Sequence, residues 1–169
     1  MLVASMKIRP ATDADRDAIW TIFREVVAVG DTYALDPNMS REDALAYWFA
    51  PDTHTYVAEQ SDIGVAGTYL LRPNQSGGGS HVANAGFMVS ASARGQGIGR
   101  AMAEHCLDEA RRLGFRAMQF NYVISTNTAA IRLWQDLSFE IVGTLTGAFR
   151  HPQEGYVDVY VMYRSLLED

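Results

Sequence analysis

The chain has 169 residues, 48% of them apolar and 20% charged, and its fourteen basic against twenty acidic residues give a formal net charge of −6. That length suits one domain with one sizeable core, and the composition excludes an intrinsically disordered chain. The acidic balance provides no general field for nucleic acid or an anionic membrane, so an anionic ligand must be held by a local site.

The opening stretch MLVASMKIRP is too short in apolar residues for a signal peptide, and no later run reaches the length of a membrane span. Residues 1–5 read as a disordered extension ahead of Met6, itself an alternative start, and 1–169 is expected to form a single domain. A short strand is expected in KIRPAT, followed by a helix that places Ala18, Ile19, Ile22, Phe23, Val26 and Val27 on one face and ends at Gly30. Ser40, with Asp43 three residues on, forms a variant capping box that starts a second helix. THTYVAEQ and GVAGTYLLRP read as two strands joined by a tight turn, NQSGGGS as a loop, and HVANAGFMVS as the fourth strand. The next helix carries Ile98, Met102, Cys106, Leu107 and Ala110 on one face and stops at Gly114. RAMQFNYVI is a strand, Asn127 opens a further helix, and EIVGTL and GYVDVYVMYRSL are closing strands. The two late strand–helix–strand steps call for right-handed crossovers, hence a mixed sheet with helices on both faces.

Cys106 is the only cysteine, which excludes an internal disulfide or a thiolate cluster and is compatible with a cytoplasmic location; inside a helical pattern it reads as a packed thiol. His54, His81, His105 and His151 share no ligand spacing, so no metal is expected.

The junction between the fourth strand and the third helix reads Arg-Gly-Gln-Gly-Ile-Gly, residues 94–99. A backbone that wraps a diphosphate needs residues without Cβ, and the first N–H groups of a helix direct partial positive charge at an anion. Gly95, Gly97 and Gly99 supply room, Gln96, Ile98 and Arg100 supply backbone donors, and Arg94 adds a cation. A plain strand-to-helix turn without a ligand accounts for the hexapeptide equally well. A nucleoside-triphosphate loop is excluded, because no Gly-Lys-Ser/Thr follows. A dinucleotide fold would place its glycine turn after the first strand rather than the fourth.

Together, the fourth-strand valine with RGQGIGRAM and the later NTAAIRLWQDLSF resemble the two signatures of the GNAT family of N-acetyltransferases. Arg94, Gly97 and Gly99 match the first, and Asn127, Ala130 and Phe139 match the second; Trp134 stands where that family has tyrosine, and Ser138 where it has glycine. HVANAGFMV, MQFNYVISTN and GYVDVYVMYR look like the subgroup acetylating azetidine-2-carboxylate and related proline analogues, a neighbour of the phosphinothricin-type enzymes. The resemblance implies an α/β fold (α+β by layer), with a mixed central sheet of about seven strands and a splay between strands 4 and 5. It implies acetyl-CoA as co-substrate, its diphosphate on the glycine turn and its pantetheine arm paired with the strand around Phe87, Met88 and Val89. Asn127, Ala130 and Trp134 would complete that site. Acetyl would pass directly, through a tetrahedral intermediate, to a small amine or amino-acid acceptor, with a homodimer as a further expectation. A backbone N–H of the fourth strand would stabilise the oxyanion.

Trp134 has no proton of tyrosine-like acidity for the departing thiolate, and Tyr122, Tyr156 and Tyr160 are candidate substitutes between which the sequence does not choose. Asn84 and Asn121 interrupt expected central strands. Each is either paired with backbone at the splay or a bulge, or positioned to hold the acceptor. Asp158 is expected to pair structurally, with an arginine, in preference to meeting a substrate ammonium. Glu25, Asp31, Tyr33 and Asp36 are candidates to face the amine pocket. An acyl-CoA-binding module without turnover, and a protein N-acetyltransferase, are the competing functions.

Overall fold

The computed structural model describes residues 5–167, so all but Ser5 of the expected extension lies outside the described residues. The elements run β1 (Met6–Pro10), α1 (Arg16–Val29), α2 (Arg41–Trp48), β2 (His54–Gln60), β3 (Gly64–Pro73), β4 (Val82–Val89), α3 (Ile98–Arg112), β5 (Ala117–Ile124), α4 (Thr128–Asp136), β6 (Glu140–His151) and β7 (Gly155–Ser165). The strands form one seven-stranded sheet in the order β1-β2-β3-β4-β5-β7-β6. Only β4 and β5 pair in parallel; every other neighbouring pair is antiparallel. The strands of the first late crossover, β4 and β5, are neighbours, whereas β7 inserts between β5 and β6.

Alternation along the strands decides which helix covers which face. Val57, Leu70 and Met88 pack with Ile19, Ile22, Phe23 and Trp48 of α1 and α2. Their neighbours Tyr56, Ala58, Tyr69 and Leu71 pack on the other face with Met102 and Cys106 of α3 and Trp134 of α4. Helix α3 lies close on β3 because Gly67 has no side chain: a Cβ there would stand 2.9 Å from Met102 Cε.

Ser40 caps α2 as expected, its Oγ accepting from Asp43 N at 3.1 Å while donating to the Asp43 carboxylate at 2.9 Å. A second capping pair, Thr12 with Asp15, precedes α1 and was not anticipated. The helices α3 and α4 end in the same hydrogen-bonded turn. After α3, Gly114 N donates to Arg111 O and Phe115 N to Ala110 O; after α4, Ser138 N donates to Gln135 O and Phe139 N to Trp134 O. The residue in the left-handed conformation is Gly114 (φ 87°) in one and Ser138 (φ 67°) in the other. That geometry explains physically why glycine suits position 138.

Two further departures from expectation are local. β6 continues through residue 151, six residues past the expected strand, and its pairing with β7 shifts register between Leu145 and Phe149. The glycine-rich loop after β3 contains a short 3₁₀ turn, Gly77–Gly79.

The splay is present. β4 and β5 are joined only through Val82↔Ala117 and Ala83↔Met118, yet the strands run on to Val89 and Ile124. On its other edge β5 breaks register with β7 between Phe120 and Val123, which puts Asn121 and Tyr122 in a bulge.

Candidate active site

The glycine turn sits at the open end of the splay. Gly97 is the N-cap of α3 with φ 78°, and Gly95 has φ 74°. A Cβ at either would meet nothing within 4 Å, so backbone angle rather than crowding calls for glycine here. By helical geometry the N–H groups of Ile98, Gly99 and Arg100 have no intrahelical acceptor, and they open onto this turn. The Ile98 side chain is buried beneath it, and the Gln96 side chain turns back to Ser92 O at 3.4 Å. Arg94 is exposed beside the turn, while the Arg100 guanidinium is held by Asp136 at 2.7 Å. What remains is an exposed nest of unpaired donors with one cation at hand, a fit for a diphosphate.

Inside the splay, the backbone of Phe87 faces away from β3. Its N–H donates to Tyr33 Oη at 2.8 Å, and the same hydroxyl donates to Phe87 O at 2.6 Å. Burial pushes the Tyr33 phenol pKa well above its usual value, so it stays protonated. Met88 is buried toward α1 and α2, and Val89 lies against the α3 side. On that side an aromatic wall fills the floor: Trp134 stands 5.1 Å from the Phe87 ring and 4.4 Å from that of Phe120, which stacks on Phe139 at 4.5 Å. Trp134 is thus a packed residue bridging the two parting strands. Ala130 packs on the same cluster, and Asn127 caps α4, its Oδ1 accepting from Ala130 N at 3.3 Å.

On the opposite, α2 face, a groove of about 570 Å³ borders the fork and is lined by Asp52, Arg72, Asn74, Ser80, Asn84 and Asn121, among others. The structure therefore brings the two sequence-nominated asparagines together. Asn84 Nδ2 donates to Gln119 O at 2.9 Å, one step beyond the last β4–β5 pair. Asn121 Nδ2 donates to Asn74 Oδ1 at 2.6 Å, and its own oxygen accepts from Gln119 Nε2 at 2.8 Å. Arg72, directly cross-strand from Asn84, lies over the Tyr47 ring at 5.2 Å. Among the described residues it has no carboxylate partner, unlike Arg9, Arg16, Arg41, Arg100, Arg111 and Arg112.

The sequence did not single out Arg72 or Asp52. The one available signal for Arg72 was a cation closing an otherwise apolar run, GTYLLRP. Several nominated residues lie elsewhere. Asp158 accepts from Gly147 N at 2.9 Å, so its partner is the backbone of the β6 irregularity and not an arginine. Tyr122 donates to Ala148 O, and Tyr156 is three-quarters exposed. Tyr160 packs at the edge of the α3–α4 core. Asp36 caps its own turn through Asn38 N at 2.8 Å, and Glu25 accepts weakly from Ala91 N at 3.4 Å. Cys106 is fully buried, and burial pushes its thiol pKa up. Among the described residues no group of three or more His, Cys, Asp or Glu is arranged for a metal, and no helix is long and apolar enough to cross a membrane.

The model of the acetyltransferase (GNAT) family matches residues 16–139. The N-acetyltransferase aca1 of Schizosaccharomyces pombe is 36% identical over 151 residues, spanning 80% of this chain and 72% of that one. Among solved structures, a GCN5-related N-acetyltransferase from Kribbella flavida is 48% identical, with a TM-score of 0.90 over 95% of this chain and 97% of its own. The protein yncA from Salmonella typhimurium, solved with its cofactor acetyl-CoA, is 26% identical, with a TM-score of 0.85 over 98% and 96% of the two chains.

Proposed function

The chain belongs to the GNAT family of acetyltransferases, and we propose that it transfers acetyl from acetyl-CoA directly to the amine of a small amino-acid-like molecule. The acetyl-CoA held by yncA supports the donor, as do the open nest at Gly95–Arg100 and the edge of β4 that parts from β5. The observation that carries the acceptor class is Arg72. Among the described residues it is a guanidinium without a carboxylate partner, in a groove that also holds Asp52, Asn84 and Asn121 and borders the splay. A planar cation with several donors suits a carboxylate, and a carboxylate nearby suits an ammonium, which together describe an amino acid.

Bound acetyl-CoA supplies the acyl group as an activated thioester. The chain's own contribution is placement and electrostatics. Ile98, Gly99 and Arg100 offer backbone N–H groups to the diphosphate, with Arg94 alongside. Gly86 to Val89 would present strand backbone to the arm, and the N–H of Phe87 would serve the thioester oxygen as charge develops there. Arg72 and the amides fix the acceptor so that its neutral amine faces the splay. Trp134 contributes shape and no proton; a thiolate needs little help to leave near neutral pH.

Thiol release from acetyl-CoA, followed across amino acids, their carboxamides and simple amines, tests this reading. Faster release with free amino acids than with matched carboxamides is expected. Release with peptides alone, or binding of acetyl-CoA without release for any amine, would replace it with a protein acetyltransferase or a binding module respectively.

A further inference from the structure

The hydroxyl of Tyr33 holds both backbone groups of Phe87, 2.8 Å from N and 2.6 Å from O, at a place where β4 pairs with β3 but no longer with β5. An oxygen that takes the Phe87 N–H at ordinary hydrogen-bond length stands where Tyr33 Oη now stands. We propose that Tyr33 is a second oxyanion donor, ceding the Phe87 N–H to the thioester oxygen and donating its own O–H to that same oxygen. The proposal rests on the reading that acetyl-CoA enters the splay.

Three observations carry it. The required movement is short, about one hydrogen-bond length or ~2.8 Å. Tyr33 is anchored, packed on the α1–α2 core, so its hydroxyl stays within reach after that step. Gly86 places no side chain against that hydroxyl, where a Cβ would stand in van der Waals contact, 3.5 Å from Tyr33 Oη and 3.7 Å from the Trp48 ring. Two donors at a developing oxyanion act more strongly than one, since neither must reorganise far when charge appears.

The phenol keeps its proton throughout. The amine nitrogen forms a bond to the carbonyl carbon, the carbon–sulfur bond breaks, sulfur leaves as thiolate and the nitrogen's proton passes to water. Burial raises the phenol's pKa, which favours a hydrogen-bond donor over an acid, since proton transfer to a thiolate would run uphill. Tyr33 therefore differs from the tyrosine that Trp134 replaces: it would act on the oxygen and not on the sulfur.

Tyr33→Phe keeps the ring and deletes the donor. The expected result is a fall in kcat of about a hundredfold, in the range found for loss of one oxyanion donor. The acetyl-CoA Kd should be unchanged or a few-fold tighter, because the thioester no longer displaces a resident hydroxyl. An unchanged kcat would overturn the proposal. So would parallel losses in kcat and acetyl-CoA affinity, which would make Tyr33 a shaping residue of the splay. Should the variant not fold, the wild-type protein decides: the Phe87 amide proton resonance must move more with acetyl-CoA than with a CoA analogue lacking the thioester, and equal movement would refute the idea. Failure of wild type to bind acetyl-CoA at all would instead remove the donor reading, and this proposal with it.

Discussion

Asn84 donates its side-chain N–H to the carbonyl of Gln119 at 2.9 Å, across the point where β4 and β5 part. The amide acts as a tie at the fork and has one N–H committed to the backbone. Its loss would leave the Gln119 carbonyl without that partner, at a cost of about 1 kcal/mol. Asn84→Ala is therefore expected to lower thermal stability and to change both acetyl-CoA affinity and acceptor KM. A change confined to the acceptor, measured by calorimetry and steady-state kinetics on the same preparation, would show that the tie does not shape the splay.

Arg72 separates from Asn84 in this respect, because it holds no strand together and only leans on Tyr47. Arg72→Met keeps the stem and removes the charge. It should raise KM for an amino acid at least tenfold, about 1.4 kcal/mol in binding, and leave acetyl-CoA affinity as it was. The preference for acid over carboxamide should vanish with it. Persistence of that preference would place the carboxylate elsewhere in the groove.

Gly97→Val tests the diphosphate nest. A β-branched residue at φ 78° is strained whatever space surrounds it, and relief of that strain reorients the first N–H groups of α3. Acetyl-CoA binding should drop below detection in a protein whose circular dichroism is unchanged. Retained affinity in a folded variant would mean that the diphosphate does not sit on this turn.

The helix faces and the nest at Arg94–Gly99 were legible because periodicity and glycine spacing are local properties. The β7 insertion was not, since strand order depends on which edges meet after the chain has turned back. Arg72 escaped notice for the same reason: only the β3–β4 register sets it opposite Asn84. Asp158 shows the converse, a half-buried carboxylate whose partner is a backbone N–H that no side-chain pairing rule would nominate.

Trp134→Phe should retain most of the turnover. The indole bridges Phe87 and Phe120 through its rings, and phenylalanine preserves much of that contact. A modest loss of thermal stability is expected from the smaller volume. Collapse of kcat in a stable variant that still binds acetyl-CoA would assign Trp134 a chemical role.

Ser138 occupies the left-handed position that Gly114 fills in the equivalent turn after α3. A side chain in that conformation costs about 1 kcal/mol relative to glycine. The greater entropy of glycine in the unfolded chain offsets part of the gain, by about 0.4–1 kcal/mol. Ser138→Gly is thus expected to raise the melting temperature by a small, measurable step without altering kinetics. A fall would show that the serine has a compensating contact.

Acid stability is expected to hinge on Glu109. Its carboxylate accepts from Arg112 at 2.9 and 2.7 Å and from Tyr56 at 2.7 Å, and these bonds lower its pKa from 4.5 to about 2. The Arg9 guanidinium lowers the pKa of Asp15 in the same direction. A carboxyl group with a depressed pKa binds its proton more weakly in the folded state. Its contribution is therefore complete above the unfolded pKa and fades as pH falls through the folded one. Urea unfolding of wild type and Glu109→Gln should differ most above pH 4.5 and converge as the pH approaches 2. A difference that stayed constant across that interval would mean the Glu109 carboxylate gains nothing from its partners in the fold.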